Sequence, residues 1–290
     1  MAVQYSYCKN GFQAKGGGQL TMEKREDLKG AGRDAAVLLS IERLSVSFNQ
    51  FKAIDDVSLA INRGELRVII GPNGAGKTTL MDLITGKTRP TAGKIKLNGH
   101  DITGRSESEI ASKHKIGRKF QGPNLFDSMT AYENIEVALK GYCSLARSFF
   151  FRKNRIVEDK INAVLKSVNL YEKREVMASF LSHGERQWLE IGMVMAQDPE
   201  LIILDEPTAG MTADETRKTG EMILRLLGDH TVIVVEHDMD FVRQVARTVT
   251  VLHQGQFLAE GPYGEIEKDP RVIQVYLKDD KAGEEAACSQ

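Results

Sequence analysis

The run Gly71-Pro72-Asn73-Gly74-Ala75-Gly76-Lys77-Thr78 constrains this chain more than any other segment. It meets the pattern G-x-x-x-x-G-K-[ST] at every fixed position. Before it stands the short apolar run Leu66 to Ile70, and after it a helix-like stretch to Thr85 with Gly86 as a stop. Glycines let the backbone wrap a phosphate with inward-pointing N–H groups, and the following helix offers its positive end. Lys77, read as a solvent-facing charge, is aimed at the β- and γ-phosphates, and the Thr78 hydroxyl completes a Mg²⁺ shell. A ligand-free glycine turn is the bland alternative, and the strand before and helix after argue against it. The expected nucleotide-binding set is Gly71 through Thr78, with Thr79.

Period-two alternation through Leu44, Val46 and Phe48 predicts a first strand entered at Leu39, and Ile54 to Ile61 a second. Asn98-Gly99 and Thr91-Ala92-Gly93 flank a short strand at Lys94 to Leu97. From Ser106 to about residue 180 the pattern turns helical, as in Ala131 to Leu145 and Arg155 to Val168. Strand signals return at Leu201 to Leu204, Thr231 to Val235 and Thr248 to Leu252. Strand–helix alternation interrupted in this way predicts an α/β core carrying a helical subdomain over about 106–180. Residues 1–38, with three consecutive glycines and a charged run, read as an extension, and 279–290 as a loose tail. Thirty-nine basic and 40 acidic side chains give a net charge of −1, which argues against a nucleic-acid partner. No stretch approaches the roughly 18 unbroken apolar residues of a membrane helix. The first ten residues lack a signal-peptide core, and Cys8, Cys143 and Cys288 form no evident framework. A cytoplasmic setting is the expectation.

Two further segments carry chemistry. Leu201 to Leu204 ends in Asp205-Glu206, carboxylates at the C-terminal end of an apolar strand, where open α/β sheets bind ligands. Asp205 is expected to hold Mg²⁺ through water, and Glu206 to orient or deprotonate an attacking water. Leu181-Ser182-His183-Gly184-Glu185-Arg186-Gln187 opens a helix with a capping box, Ser182 and Glu185. It thereby supplies a second helix N-terminus for an anion, and Gly184 admits a close phosphate.

Taken together these segments resemble ATP-binding cassette (ABC) proteins over roughly Leu39 to Lys278. Leu181 to Gln187 is similar to their signature segment L-S-G-G-Q, with His183 and Glu185 as departures from it. The resemblance implies a P-loop NTPase core with an antiparallel β subdomain and an inserted helical subdomain, the domain spanning 39–278. It further implies that Phe48 stacks on adenine, that Gln121 links Mg²⁺ to the transport subunits, and that His237 contacts the γ-phosphate. Ala209 to Thr212 falls on the dimer-contact loop. Ser182, His183, Gly184 and Glu185 would face the ATP of a second cassette. The implied cofactors are ATP and Mg²⁺. The implied partners are a second ATPase subunit, two transmembrane permease subunits and, indirectly, a solute-binding protein, at the cytoplasmic face of the membrane.

The wording around the signature resembles importers of branched-chain amino acids and amides. Ile116 to Gln121 and Asp205 to Thr212 look closest to the urea-transport branch, so urea is the expected solute and a branched-chain amino acid or other amide the alternative. Less favoured are a non-transport ABC protein of repair or ribosome function, which usually carries two cassettes, and a regulatory ATP clamp, against which Glu206 argues. Phe149-Phe150-Phe151 beside Arg152 and Lys153 reads as a helix end with a solvated flank, the other reading being a contact with membrane subunits or lipid headgroups.

Overall fold

The computed structural model describes residues 36–119, 125–140 and 155–276. The extension before Ala36, Gln121, the phenylalanine run at 149–151 and the tail after Tyr276 lie outside the described residues.

Two sheets organise the chain. The first is antiparallel, in the order β2-β1-β4-β5, from β1 (Val37–Phe48), β2 (Phe51–Asn62), β4 (Ala92–Leu97) and β5 (His100–Asp101). The second has the order β10-β9-β3-β8-β7-β6, from β3 (Leu66–Ile70), β6 (Ile116–Lys119), β7 (Leu201–Asp205), β8 (Thr231–Val235), β9 (Thr248–His253) and β10 (Gln256–Gly261). Its pairings are parallel except β9 with β10.

The five-residue strands β3, β7 and β8 are buried along their whole length, which is why they read as apolar runs rather than alternations. Alternate side chains nevertheless enter different cores. Val68, Ile202, Leu204, Val232 and Val234 face one that also takes Ile135, Leu165, Trp188 and Phe241. Ile69, Ile203, Ile233 and Val235 face another, shared with Leu80, Ile84, Leu39 and Ile54. The helices of the first core are α3 (Ala131–Lys140), α4 (Arg155–Ser167), α5 (His183–Ala196), α6 (Ala213–Leu226) and α7 (Met239–Val245). The second core is closed by α1 (Lys77–Ile84) and the antiparallel sheet.

Three expectations need correction. Strand β6 and the helix before it, α2 (Glu107–His114), fall inside the stretch assigned to the helical insert, yet β6 pairs with β7 in the parallel sheet. The sequence Ile-Gly-Arg-Lys hides it, because Arg118 and Lys119 are charged but buried. Strand β10 was not anticipated, and β1 begins at Val37, two residues before the expected Leu39.

Candidate functional site

Register places the loops that matter side by side. Ile69 pairs with Val235, Asp205 with Val235, and Lys119 with Leu204, so the C-terminal ends of β3, β8, β7 and β6 are level. Chemistry-bearing groups follow β3, β7 and β8, and the residues directly after β6 lie outside the described ones.

After β3 the chain turns through Gly71 at φ +153°, where a Cβ would lie 2.2 Å from the Leu252 carbonyl oxygen. At Gly76, φ is +96° and a Cβ would lie 2.7 Å from the Ala53 carbonyl. Only glycine permits both the left-handed conformation and this close approach. The remainder of the loop, Pro72, Asn73, Gly74 and Ala75, leads into α1, and Thr78 and Thr79 fall in its first turn. Lys77 is not the solvent-facing charge that the sequence suggested. It is 9% exposed, and Nζ donates to the carbonyls of Gly71 at 2.6 Å and Pro72 at 2.9 Å. Its ammonium lies across the loop, because the wrapped backbone leaves these carbonyls facing inward.

Phe48 sits at the tip of the β1–β2 hairpin opposite Phe51, the two 49% and 66% exposed. The hairpin meets the loop where Ala53 approaches Gly76, and the β9–β10 turn bridges the two, the Asp55 amide donating to the Gly255 carbonyl at 2.8 Å and the Gly255 amide to the Ala75 carbonyl at 3.0 Å. An exposed aromatic pair therefore stands beside the glycine-rich loop.

Asp205, at the end of β7, is 1% exposed. Arg118 donates to its Oδ2 at 3.0 Å and to Asp82 Oδ1 at 2.5 Å, tying β7 to α1 through β6. Asp205 Oδ1 is buried with no hydrogen-bond partner among the described residues. A buried carboxylate oxygen left open at the strand end, close to the helix that carries Thr78, fits a hydrated divalent cation. Lys119, the next residue, reaches Glu190 of α5 at 3.4 Å, both buried.

Glu206 is held in the left-handed region at φ +47°, its amide donating to the Val235 carbonyl at 2.9 Å. A non-glycine residue there costs about 1–2 kcal/mol. Its Oε1 lies 3.6 Å from His237 Nδ1. Glu236, 1% exposed, accepts the Thr208 amide at 3.1 Å and hydroxyl at 2.6 Å through Oε1, and the His237 amide at 3.2 Å through Oε2. It thus ties the segment after Glu206 to the one bearing His237.

Farther along, Ser182 caps α5 as expected: Glu185 donates its amide to Ser182 Oγ and accepts the Ser182 amide. Lys173 donates to the other Glu185 oxygen at 2.6 Å, so this carboxylate is committed to the cap. His183 Nε2 lies 3.0 Å from the Ala209 carbonyl. Arg118, Asp82 and Glu236 were not singled out from the sequence. Glu236 carried a usable signal, a carboxylate directly after an apolar strand, the same one that marked Asp205.

The family model described as ABC transporter matches residues 54–209, which takes in the loop after β3, Ser182 and Glu206. This chain belongs to the ABC transporter family. BraF of Pseudomonas aeruginosa, a high-affinity branched-chain amino-acid transport ATP-binding protein, is 36% identical over 83% of this chain and 97% of its own. LivG of Escherichia coli, of the same description, gives the same figures. A probable LivG of Methanocaldococcus jannaschii is 33% identical over 84% of this chain and 99% of its own. Among solved structures, the ADP conformation of an ATP-binding cassette of an ABC transporter superposes with TM-score 0.74 at 30% identity, covering 83% of this chain and 99% of that one. The fold is that of an ABC ATPase, and the enzyme class is ATPase.

Proposed function

We propose that this chain is the ATP-hydrolysing subunit of an importer for branched-chain amino acids or related small amides. The cassettes it resembles over nearly their whole length carry that description, and they support this reading over the urea reading that the motif wording favoured. The observation that carries the ATPase mechanism is the convergence of Lys77, Asp205, Glu206 and His237 at the level ends of three adjacent strands.

In this reading ATP lies along the loop from Gly71 to Thr79 with its adenine on Phe48. The Lys77 ammonium leaves the Gly71 and Pro72 carbonyls for the β- and γ-phosphates. Thr78, Asp205 and Gln121 would hold Mg²⁺, which when bound neutralises charge on the phosphate oxygens. Asp205 Oδ1 is the atom open to it, while Arg118 fixes Oδ2. Glu206 accepts a proton from the attacking water, and His237 contacts the γ-phosphate from the neighbouring strand end. Ser182 to Glu185 face the ATP of a second cassette, so that the γ-phosphate bridges two helix N-termini and its loss lets the pair part. A related bacterial cassette, 25% identical at TM-score 0.68, was solved as a dimer. Phe126, Met177 and Phe180 are exposed on two backbone-paired segments of the helical part, an apolar surface suited to a permease subunit. No helix among the described residues is long and apolar enough to cross a membrane, in keeping with a peripheral subunit at the cytoplasmic face.

The test is Glu206→Gln, which keeps the side chain's shape and loses its basicity. ATP binding should persist while hydrolysis slows by roughly 10²–10⁴-fold. Near-normal turnover would remove Glu206 from the role of base.

A further inference from the structure

The signature serine already has an acceptor. Ser182 Oγ donates to Glu215 Oε1 at 3.2 Å, in the first turn of α6. The same carboxylate reaches back through Oε2 to the Thr212 amide at 3.0 Å and hydroxyl at 2.9 Å, capping α6. A side chain at Gly184 would put its Cβ 2.5 Å from Glu215 Oε1, so the glycine leaves the space that this carboxylate takes. The Thr212 amide and hydroxyl, then Ser182 and the nearby His183, hold the Glu215 carboxyl below the usual range, and it is charged at neutral pH. Beside it, the His183–Ala209 contact fastens the start of α5 to the segment that leads into α6.

We propose that Glu215 is a resident competitor for phosphate at the signature, engaging the hydroxyl that the ATP of the second cassette has to use. This inference rests on the reading of Ser182 as a γ-phosphate contact. One hydroxyl proton cannot serve a carboxylate and a phosphate at once, and two anions at this range repel. Seating the phosphate therefore turns Glu215 off Ser182. Because its other oxygen caps α6, that displacement reaches Thr212 and the adjoining Ala209 to Met211. Glu215 acts through Ser182, as a positioning residue that sets the ATP concentration at which two cassettes close.

The experiment titrates ATP with Mg²⁺ against the full chain carrying Glu206→Gln, following association by size-exclusion chromatography with light scattering. Adding Glu215→Gln, which keeps an oxygen for the Thr212 cap, should lower the half-maximal ATP concentration by roughly 2- to 5-fold, the worth of one solvated charge contact. Adding Thr212→Ala, which weakens the cap and leaves the charge, should not lower it. An unchanged or higher requirement with Glu215→Gln, or the same decrease with Thr212→Ala, overturns the inference. Ser182→Ala in the same background separates it from the reading beneath. If Ser182→Ala abolishes association while Glu215→Gln changes nothing, the inference alone fails. Association undiminished by Ser182→Ala, or absent from every variant, overturns both.

Discussion

Replacing Arg118 by methionine removes the cation between two carboxylates while keeping most of the side-chain volume. Arg118 is 3% exposed at its side chain, Asp205 1% and Asp82 16%. Asp205 would be left in the interior without its counter-charge, while Asp82 would keep only the exposed Lys87 at 3.6 Å. Breaking a buried pair by deleting one partner costs about 3–5 kcal/mol, because the other charge stays buried and uncompensated. Against a typical total of about 5–15 kcal/mol, that is a large fraction of the stability. Urea unfolding at neutral pH should show it as a fall of about 1–2 M in midpoint at unchanged slope, for a slope of about 2–3 kcal/mol per M. Adding Asp205→Asn to Arg118→Met removes the stranded charge and should recover at least about 1 kcal/mol, a coupling of the size that contacting residues show. ATPase activity should not return with it, since Asp205 Oδ1 is the oxygen proposed to face the metal. A loss below about 1 kcal/mol in Arg118→Met, or no recovery on adding Asp205→Asn, would refute the view of Arg118 as a neutralising clamp.

Lys77→Ala should abolish ATP binding, measured by equilibrium dialysis, while circular dichroism stays native, with a small drop in Tm from the two lost bonds to loop carbonyls. Gly76→Ala should destabilise by about 1–3 kcal/mol, because a methyl at φ +96° meets the Ala53 carbonyl; calorimetry giving an unchanged Tm would count against the close approach. Glu236→Ala frees Thr208 and the His237 amide together and should lower kcat more than it raises KM for ATP; a pure KM effect would show that it does not hold the catalytic ends in place. Glu200 is held below its ordinary value of 4.5, first by the Asn98 amide and then by Arg63. A depressed carboxyl stabilises fully above that value and loses the contribution as pH falls through the folded-state pKa. The Tm deficit of Glu200→Gln relative to the parent should therefore be present at pH 7 and shrink toward zero in acid.

Much of the architecture was legible in the chain itself. The mostly apolar runs at Leu66 to Ile70, Leu201 to Leu204 and Thr231 to Val235 were readable as strands, the first as one covered on both faces, because local composition reflects burial. Ser182 with Glu185 forecast a cap that spans only three residues, and the glycines around Lys77 forecast a turn by their own conformational freedom. Such features depend on neighbours a few residues away, so a linear reading contains their cause.

What the sequence could not contain was the pairing of charges across the fold. Strand β6 was lost inside a stretch assigned to helix, since Ile-Gly-Arg-Lys carries two charges and no apolar run to mark a buried strand. Both are buried because Asp82 and Asp205, 36 and 87 residues distant from Arg118, and Glu190 on helix α5, beside Lys119, arrive to neutralise them. Lys77 was expected to face solvent, and folding instead lays it on the carbonyls of its own loop. Glu236 and Glu215 drew no expectation from the sequence, and only the fold brings Thr208 and Ser182 to them. An ionised group is costly to bury alone and tolerable beside a donor, and which donor it meets is decided by the crossing of segments rather than by local pattern. Local sequence determined most of the strands, the cap and the glycine-rich loop, and the tertiary structure alone decided which buried charges meet at the level strand ends.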